Sequence, residues 1–483
     1  MDVRVLTSEA TEPPEPSPPP RVFESVDAPA NPEVLGLLGD KLAGADLVAP
    51  PVVLPDFHHK RSMEMPSSIA VATRDTIRPT LTSSSVNCGM ALIAFDGDVP
   101  DQKAITSFYD QVRERFPHPT TRRRDLSARE VIRAAEQGGA FAADRYALDP
   151  ANLSRMEKDG RIDLAPYGGI GRLRRELPWV VVQLSRMRFG TIGPSNHFIE
   201  LQRVEEVLDA RAAELLGVRE GQLTLQYHGG GGVLAGQLGR LFGRRKKVAR
   251  TVKAEMLVTK PLFHYASARS LAELRLRRAL YFSGGSEPVE ASSAEGARLL
   301  LANAAAMNYG FAFRLATYAW LCEFAARVFG ARGSRLVVDS PHNSIYEERI
   351  DGQRAILHRH NSCQAYPASR MAAHPVFGVT GQAVLLPGTN RTCSYLCVAG
   401  EGSESSLWSA CHGAGTMIDD FVARGLSSGD PGRRTTLGYN YRGSAPELVP
   451  QLDDRGVDEA LGILRGHGIA RPVARMRPIA VLN

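Results

Sequence analysis

Residues 223–236 read LTLQYHGGGGVLAG, an apolar run of strand character that enters four consecutive glycines and carries His228 at the junction. A loop of that composition lets backbone come close to a ligand. Just upstream, HFIELQRV (197–204) alternates like a strand, and the residues to 217 change to helical spacing. Earlier still, Val86 to Phe95 reads as a strand leaving a turn at Cys88-Gly89. Strands separated by helical segments predict an α/β fold of mixed α+β type, with central sheets flanked by helices.

Outward from this stretch, residues 23–80 mix short apolar runs with prolines and the polar knot PDFHHKR (55–61), the pattern of strands joined by loops. Helical spacing covers 101–116 and 127–146, and the basic cluster Arg122, Arg123, Arg124 between them reads as a solvated loop. Residues 242–260 hold seven basic side chains, equally consistent with an exposed amphipathic helix and with a phosphate contact. The apolar stretch Ala297 to Gly330 is interrupted by Asn303, Asn308, Arg314, Glu323 and Arg327, so it predicts a buried helix and not a membrane span. Strands follow at SRLVVDS, RAILHRH, GQAVLLP and SYLCVAG, and a C-terminal segment ends RPIAVLN. No repeat and no linker after residue 22 divides the chain. The expected organisation is a disordered acidic, proline-rich tail over 1–22 and one unit over 23–483, with a helical insertion near 235–300.

The 483 residues are 43% hydrophobic, which excludes a disordered or fibrous chain. A net charge of +6 permits a nucleic-acid partner without demanding one. Six scattered cysteines with no CxxC pair argue against a disulfide framework or a structural zinc site, and favour a reducing cytoplasm. The opening residues lack an apolar signal core, so a soluble protein is expected.

Four soft or borderline metal ligands each sit at the edge of an apolar strand-like run: Cys88, His197, His228 and His342. Each histidine taken alone is more simply read as a hydrogen-bonded core residue than as a ligand, and the neighbouring segments change that balance. His412, in SACHGAG, lies in a small-residue turn suited to a phosphate group, and LLPGTNRTCSYL (385–396) is a second loop suited to nucleotide oxygens.

In this order the segments resemble the RtcB family of RNA ligases. The carriers are PDFHH near 55, VNCGM (86–90), SNHFIEL (195–201), YHGGGG (227–232), NYGFAFR (308–314), PHN (341–343), LHRHNS (357–362), PGTNRTCSY (387–395) and CHGAG (411–415). The resemblance implies joining of RNA 3′-phosphate or 2′,3′-cyclic phosphate ends to 5′-hydroxyl ends with GTP and manganese. It implies a two-metal site with Cys88 bridging, His228 and His342 completing one metal and His197 serving the other. His412 would be the nucleophile, with Asn196 and Glu200 holding the nucleotide and Thr389, Ser394, Gly413 and Ala414 lining its pocket. The implied partners are RNA ends, from tRNA halves or damaged RNA, and an archease-like activator. A monomer is the implied state.

The chain also departs from that family. Ser85 stands where the metal-binding turn has an aspartate, with Asp56 a candidate substitute if the fold brings it close. His228 is followed by glycines where the family has a phosphate-reading arginine, and Thr416 replaces a second arginine. HRKGA has become His358 to Ser362, a guanine-stacking tyrosine is lost near Val449, and the final residues are Leu482 and Asn483 in place of Lys-Gly. These losses fall on nucleotide and phosphate contacts and spare His412 and four metal ligands. Three readings follow: a divergent ligase, a nucleotidyltransferase of the same fold acting on a small molecule or peptide, and a non-catalytic RNA-binding paralogue.

Overall fold

The computed structural model describes residues 17–60, 62–119, 123–194, 196–242, 250–282, 287–331, 333–443 and 445–483. Residues 1–16 of the expected tail, Arg122 of the basic cluster, Ser195 and residues 243–249 of the basic run lie outside the described residues.

The predicted strands assemble into a mixed, largely antiparallel sheet of nine strands. Its path runs Ala383–Leu386, Ser394–Ala399, Ala470–Leu482, Phe198–Val207, Leu223–Gly229, Gly89–Phe95 and Ser334–Pro341, with Thr435–Tyr439 and Glu447–Pro450 attached to the long C-terminal strand. A second sheet orders Arg21–Val22, Val52–Val53, Ile69–Thr73, Gln353–His360 and Asn343–Ile350. Arg21 and Val22 therefore pair with Val52 and Val53, although they fall inside the stretch read as a tail. The short strands Ser362–Gln364 and Ser409–Cys411 pair in a separate two-stranded sheet immediately before His412. This is the mixed α/β architecture expected.

The apolar stretch forms one helix, Ala294–Phe329, buried along most of its length. Ser293 caps its start by accepting from the Gly296 N–H, and Gly330 ends it in the left-handed region. The largest apolar core surrounds this helix and one face of the nine-stranded sheet. Among the described residues, no helix is long and apolar enough to cross a membrane.

One expected helix is two. The spacing over 127–146 is continuous, but the chain breaks at Gly138 between Ala128–Gln137 and Gly139–Arg145. Gly138 has φ +59°, and a Cβ there would lie 2.1 Å from the Gly160 carbonyl oxygen, so a tertiary contact overrides helical periodicity. In the expected insertion the described chain forms Gly232–Phe242, Arg250–Tyr265 and Leu271–Phe282, all helices. The glycine run is thus shorter as a loop than its sequence suggests, because its last member opens a helix.

Candidate active site

Strand register gathers the ligand candidates. Gly89 pairs with Gly229 on one side and with Pro341 on the other, and Phe198 pairs with His228. Cys88 immediately precedes Gly89, His342 immediately follows Pro341, and His197 immediately precedes Phe198. Residues 109 to 254 positions apart in sequence from Cys88 therefore meet at one end of four adjacent strands. The His342 N–H donates to the Cys88 carbonyl at 2.8 Å, fixing two of them directly.

The side chains converge as tightly as the backbone. His228 Nε2 lies 3.2 Å from Cys88 Sγ and 3.0 Å from His342 Nε2, and His197 Nε2 lies 3.5 Å from the same sulfur. Cys88, His228 and His342 place one donor atom each within 4.8 Å of one another, all buried. His228 Nδ1 is 2.8 Å from the Asn196 carbonyl, which can only accept, so that nitrogen carries the proton and Nε2 presents its lone pair to the cluster. Two imidazole nitrogens and a sulfur facing a common point suit a borderline divalent cation. Burial holds His228 and His342 well below the ordinary imidazole value and His197 at about 4, so all three imidazoles are neutral at pH 7, the form able to ligate a metal.

His412 follows the short strand Ser409–Cys411 and stands beside this cluster, its ring centroid 4.5 Å from that of His342. Burial pushes it down to about 3, so the imidazole is neutral at physiological pH. Its buried Nδ1 has no hydrogen-bond partner among the described residues. Asp56 does not join the metal donors. Its Oδ1 accepts the Met417 N–H at 2.8 Å at the start of the helix Gly415–Ala423, and burial raises its carboxyl to about 7. The missing aspartate at Ser85 is not replaced from that quarter.

The turn that carries Cys88 is held by a buried ion pair. Arg314, in the middle of the long helix, donates from Nε and Nη2 to the two carboxylate oxygens of Asp339 at 2.8 and 2.5 Å. Its Nη1 donates to the Asn87 backbone and side-chain oxygens. Asn87 itself sits in the left-handed region at φ 58° and donates from Nδ2 to the Met307 carbonyl. One guanidinium thus ties the residue before Cys88 to the strand that ends just before His342. The glycines opposite serve the same packing, since a Cβ on Gly231 would lie 2.3 Å from the Val86 carbonyl oxygen. Gly230 has the His197 ring 3.2 Å from where its Cβ would be. The close approach predicted for this loop is therefore partly to the protein's own Cys88 turn and His197 ring.

A cleft of about 910 Å³ opens over these residues. Cys88, His197, His228, His342, His412, Asn196, Thr389 and Gly413 reach its wall. Glu200, Ser394 and Ala414 are buried and absent from that wall. Glu200 accepts from Gln202 Nε2 at 2.7 Å, and burial raises its carboxyl to about 8. Ser394 Oγ accepts the Gly388 N–H at 3.1 Å, and the Ala414 N–H donates to the Pro387 carbonyl, so both shape the loop Pro387 to Thr392 from behind. His58 of PDFHH also lines the cleft. Sequence reasoning left Arg314 and Asp339 without a role. The available signal was a charged residue interrupting an otherwise apolar helix, which requires a buried partner.

The model of the family described as "tRNA-splicing ligase RtcB" matches residues 41–483. A tRNA-splicing ligase RtcB of Pyrococcus horikoshii is 28% identical over 359 residues, covering 71% of this chain and 38% of that protein. One from Thermococcus kodakarensis is 25% identical over 448 residues, covering 89% of this chain and 86% of the relative. The RNA-splicing ligase RtcB homolog 1 of Entamoeba histolytica is 26% identical over 459 residues, covering 89% and 80%. The chain thus spans well under half the length of its Pyrococcus relatives and most of the length of the Thermococcus and Entamoeba ones. With a family model matched over nearly its whole length, the chain belongs to the RtcB family.

Proposed function

We propose that this chain is a divergent RNA ligase that joins a 3′-phosphate or 2′,3′-cyclic phosphate end to a 5′-hydroxyl end through a nucleotide carried on His412. The observation that carries the reading is a neutral, buried imidazole set against a Cys88, His228, His342 cluster at the floor of one cleft. In the first step the His412 nitrogen lone pair attacks the α-phosphorus of GTP, and the bond to pyrophosphate breaks. A 3′-phosphate oxygen of the RNA then takes the guanylyl group and frees the imidazole. Finally the 5′-hydroxyl oxygen attacks the activated 3′-phosphorus, GMP leaves, and the hydroxyl proton is released. A cyclic phosphate enters this sequence after water opens it to the 3′-phosphate.

The donor set fits manganese in one or two sites: Cys88, His228 and His342 would hold one ion, and His197, whose Nε2 lies 3.5 Å from the Cys88 sulfur, would serve a second. When bound, the metal supplies charge neutralisation on phosphate oxygens and lowers the pKa of a hydroxyl. Asn196, Thr389 and Gly413, which reach the cleft, are assigned to nucleotide contact. Glu200, Ser394 and Ala414 belong to the same nucleotide site as its inner support. RNA ends as substrates, an archease-like activator, a monomeric state and a cytoplasmic location are parts of this proposal.

A second reading, nucleotidyl transfer to a small molecule or peptide, draws support from the glycine loop. Gly232 has φ +78°, and a Cβ there would lie 2.6 Å from Phe313, so this backbone excludes a phosphate-reading side chain at that position. The deciding experiment offers the manganese-loaded protein GTP and two RNA oligonucleotides, one with a 3′-phosphate and one with a 5′-hydroxyl. Joined product that requires the 3′-phosphate supports the ligase. Nucleotide transfer to His412 without joining would favour the second reading, and neither activity would favour the non-catalytic paralogue.

A further inference from the structure

The cleft has a side branch that the proposed chemistry does not use. A small cavity lined by Arg115, Phe116, Arg123, Asp125 and Thr191 adjoins it, and Arg188 lines both spaces. Arg188 is an exposed residue in the left-handed region at φ 61°, an unfavourable conformation for a side chain bearing a Cβ. Its surroundings impose that conformation. The Phe189 N–H donates to Asp125 Oδ2 at 2.9 Å, and the Thr191 hydroxyl donates to the Arg188 carbonyl at 3.1 Å. The Asp125 and Leu126 N–H groups donate to the Arg186 carbonyl, locking the loop that bears Arg123 against the loop that bears Arg188.

Asp125 is already committed, with Arg123 at 2.8 Å and Arg115 at 3.7 Å. Arg188 has no ion pair among the described residues. A strained backbone that holds an unpaired guanidinium at a cleft mouth is retained by function more readily than by stability. Lys60 and Arg240 are the other cations that line the same cleft, while Gly230 to Gly232 and Thr416 carry none. Of the basic cluster read from the sequence as a solvated loop, Arg123 lines the adjoining cavity, so Arg123 and Arg188 stand on two tethered loops around one space.

We propose that Arg188 contacts a backbone phosphate of the RNA strand bound in the cleft, with Arg123 continuing the track at the adjoining cavity. The inference rests on the ligase reading above. A planar guanidinium matches a phosphate's oxygens, and each phosphate neutralised on a single strand contributes about 0.7 to the slope of log affinity against log salt.

The test measures binding of a single-stranded RNA oligonucleotide with a 3′-phosphate to the full manganese-loaded chain across a salt series. Wild type is compared with Arg188→Gly and Arg188→Lys. Glycine adopts φ +60° without strain, so Arg188→Gly removes the cation without disturbing the loop, and its thermal midpoint should not fall. The expected result is about tenfold weaker binding in Arg188→Gly with a slope smaller by about 0.7, and a slope restored in Arg188→Lys. Unchanged affinity and slope in Arg188→Gly, while wild type binds RNA, overturns this assignment and leaves the ligase reading standing. Weaker binding with a lowered midpoint and no rescue by lysine assigns Arg188 a structural role and also overturns it. Wild type that takes a nucleotide on His412 but binds no RNA overturns both this assignment and the RNA substrate.

Discussion

Replacing Arg314 with methionine keeps the apolar stem and deletes a fully buried guanidinium that makes four hydrogen bonds. Asp339, 1% exposed, is left as an unpaired buried carboxylate. Removing one partner of such a pair costs about 3–5 kcal/mol, and the two unsatisfied Asn87 oxygens add about 1–3 kcal/mol. Against a total stability of about 5–15 kcal/mol, Arg314→Met should be severely destabilised. Arg314→Met with Asp339→Leu removes both charges and should recover about 2 kcal/mol or more relative to Arg314→Met alone. The assay is guanidinium unfolding of the metal-free chain followed by circular dichroism, closed as a double-mutant cycle. Single variants within 1 kcal/mol of wild type, or a strictly additive double, would refute the claim that this pair clamps the Cys88 and His342 turns.

Cobalt(II) titrated into the wild-type chain should give thiolate-to-metal charge-transfer absorption that Cys88→Ser abolishes; an unaltered spectrum in the variant would remove Cys88 from the metal. Gly231→Ala should weaken that metal binding about tenfold and cost about 1–3 kcal/mol, because its Cβ meets the Val86 carbonyl at 2.3 Å. Wild-type affinity there would show that the turn is free to shift. Glu200 keeps its proton up to about pH 8 in the folded chain, whereas the unfolded chain loses it near 4.5, so this group's stabilisation falls as pH rises between those values. Glu200→Gln should therefore be close to neutral below pH 4.5 and stabilising by about 1–3 kcal/mol at pH 8; a gain independent of pH would contradict the raised carboxyl. The buried histidines have the opposite sign. The unfolded chain takes up protons below 6.5 while folded His197 and His412 resist to about 4 and about 3, so metal-free stability should fall as pH drops below 6.5.

Much of this architecture was legible because strand ends carry the chemistry. The runs containing Cys88, His197, His228 and His342 each changed from apolar strand to small or polar residues at the ligand, and that change marks the sheet's edge. The register that brings them within 4.8 Å was not legible, since it is set by pairings such as Gly89 with both Gly229 and Pro341. The break at Gly138 was hidden because helical periodicity continues through it, and only the Gly160 backbone requires the glycine. Asp56 looked available to the metal until the fold set it under the helix that follows His412. The strand Asn343–Ile350 escaped because its charged residues Glu347, Glu348 and Arg349 mask the alternation, and they find ion-pair partners in Lys158, Arg354 and Arg370 or lie exposed.

The account turns on His412 as the acceptor of a nucleotide. Its most direct test is the intact mass of the purified chain after incubation with Mn²⁺ and each of the four nucleoside triphosphates, beside His412→Ala. A gain of one GMP that disappears in the variant is the predicted result. No gain with any nucleotide, in protein shown to hold its metal, would contradict it.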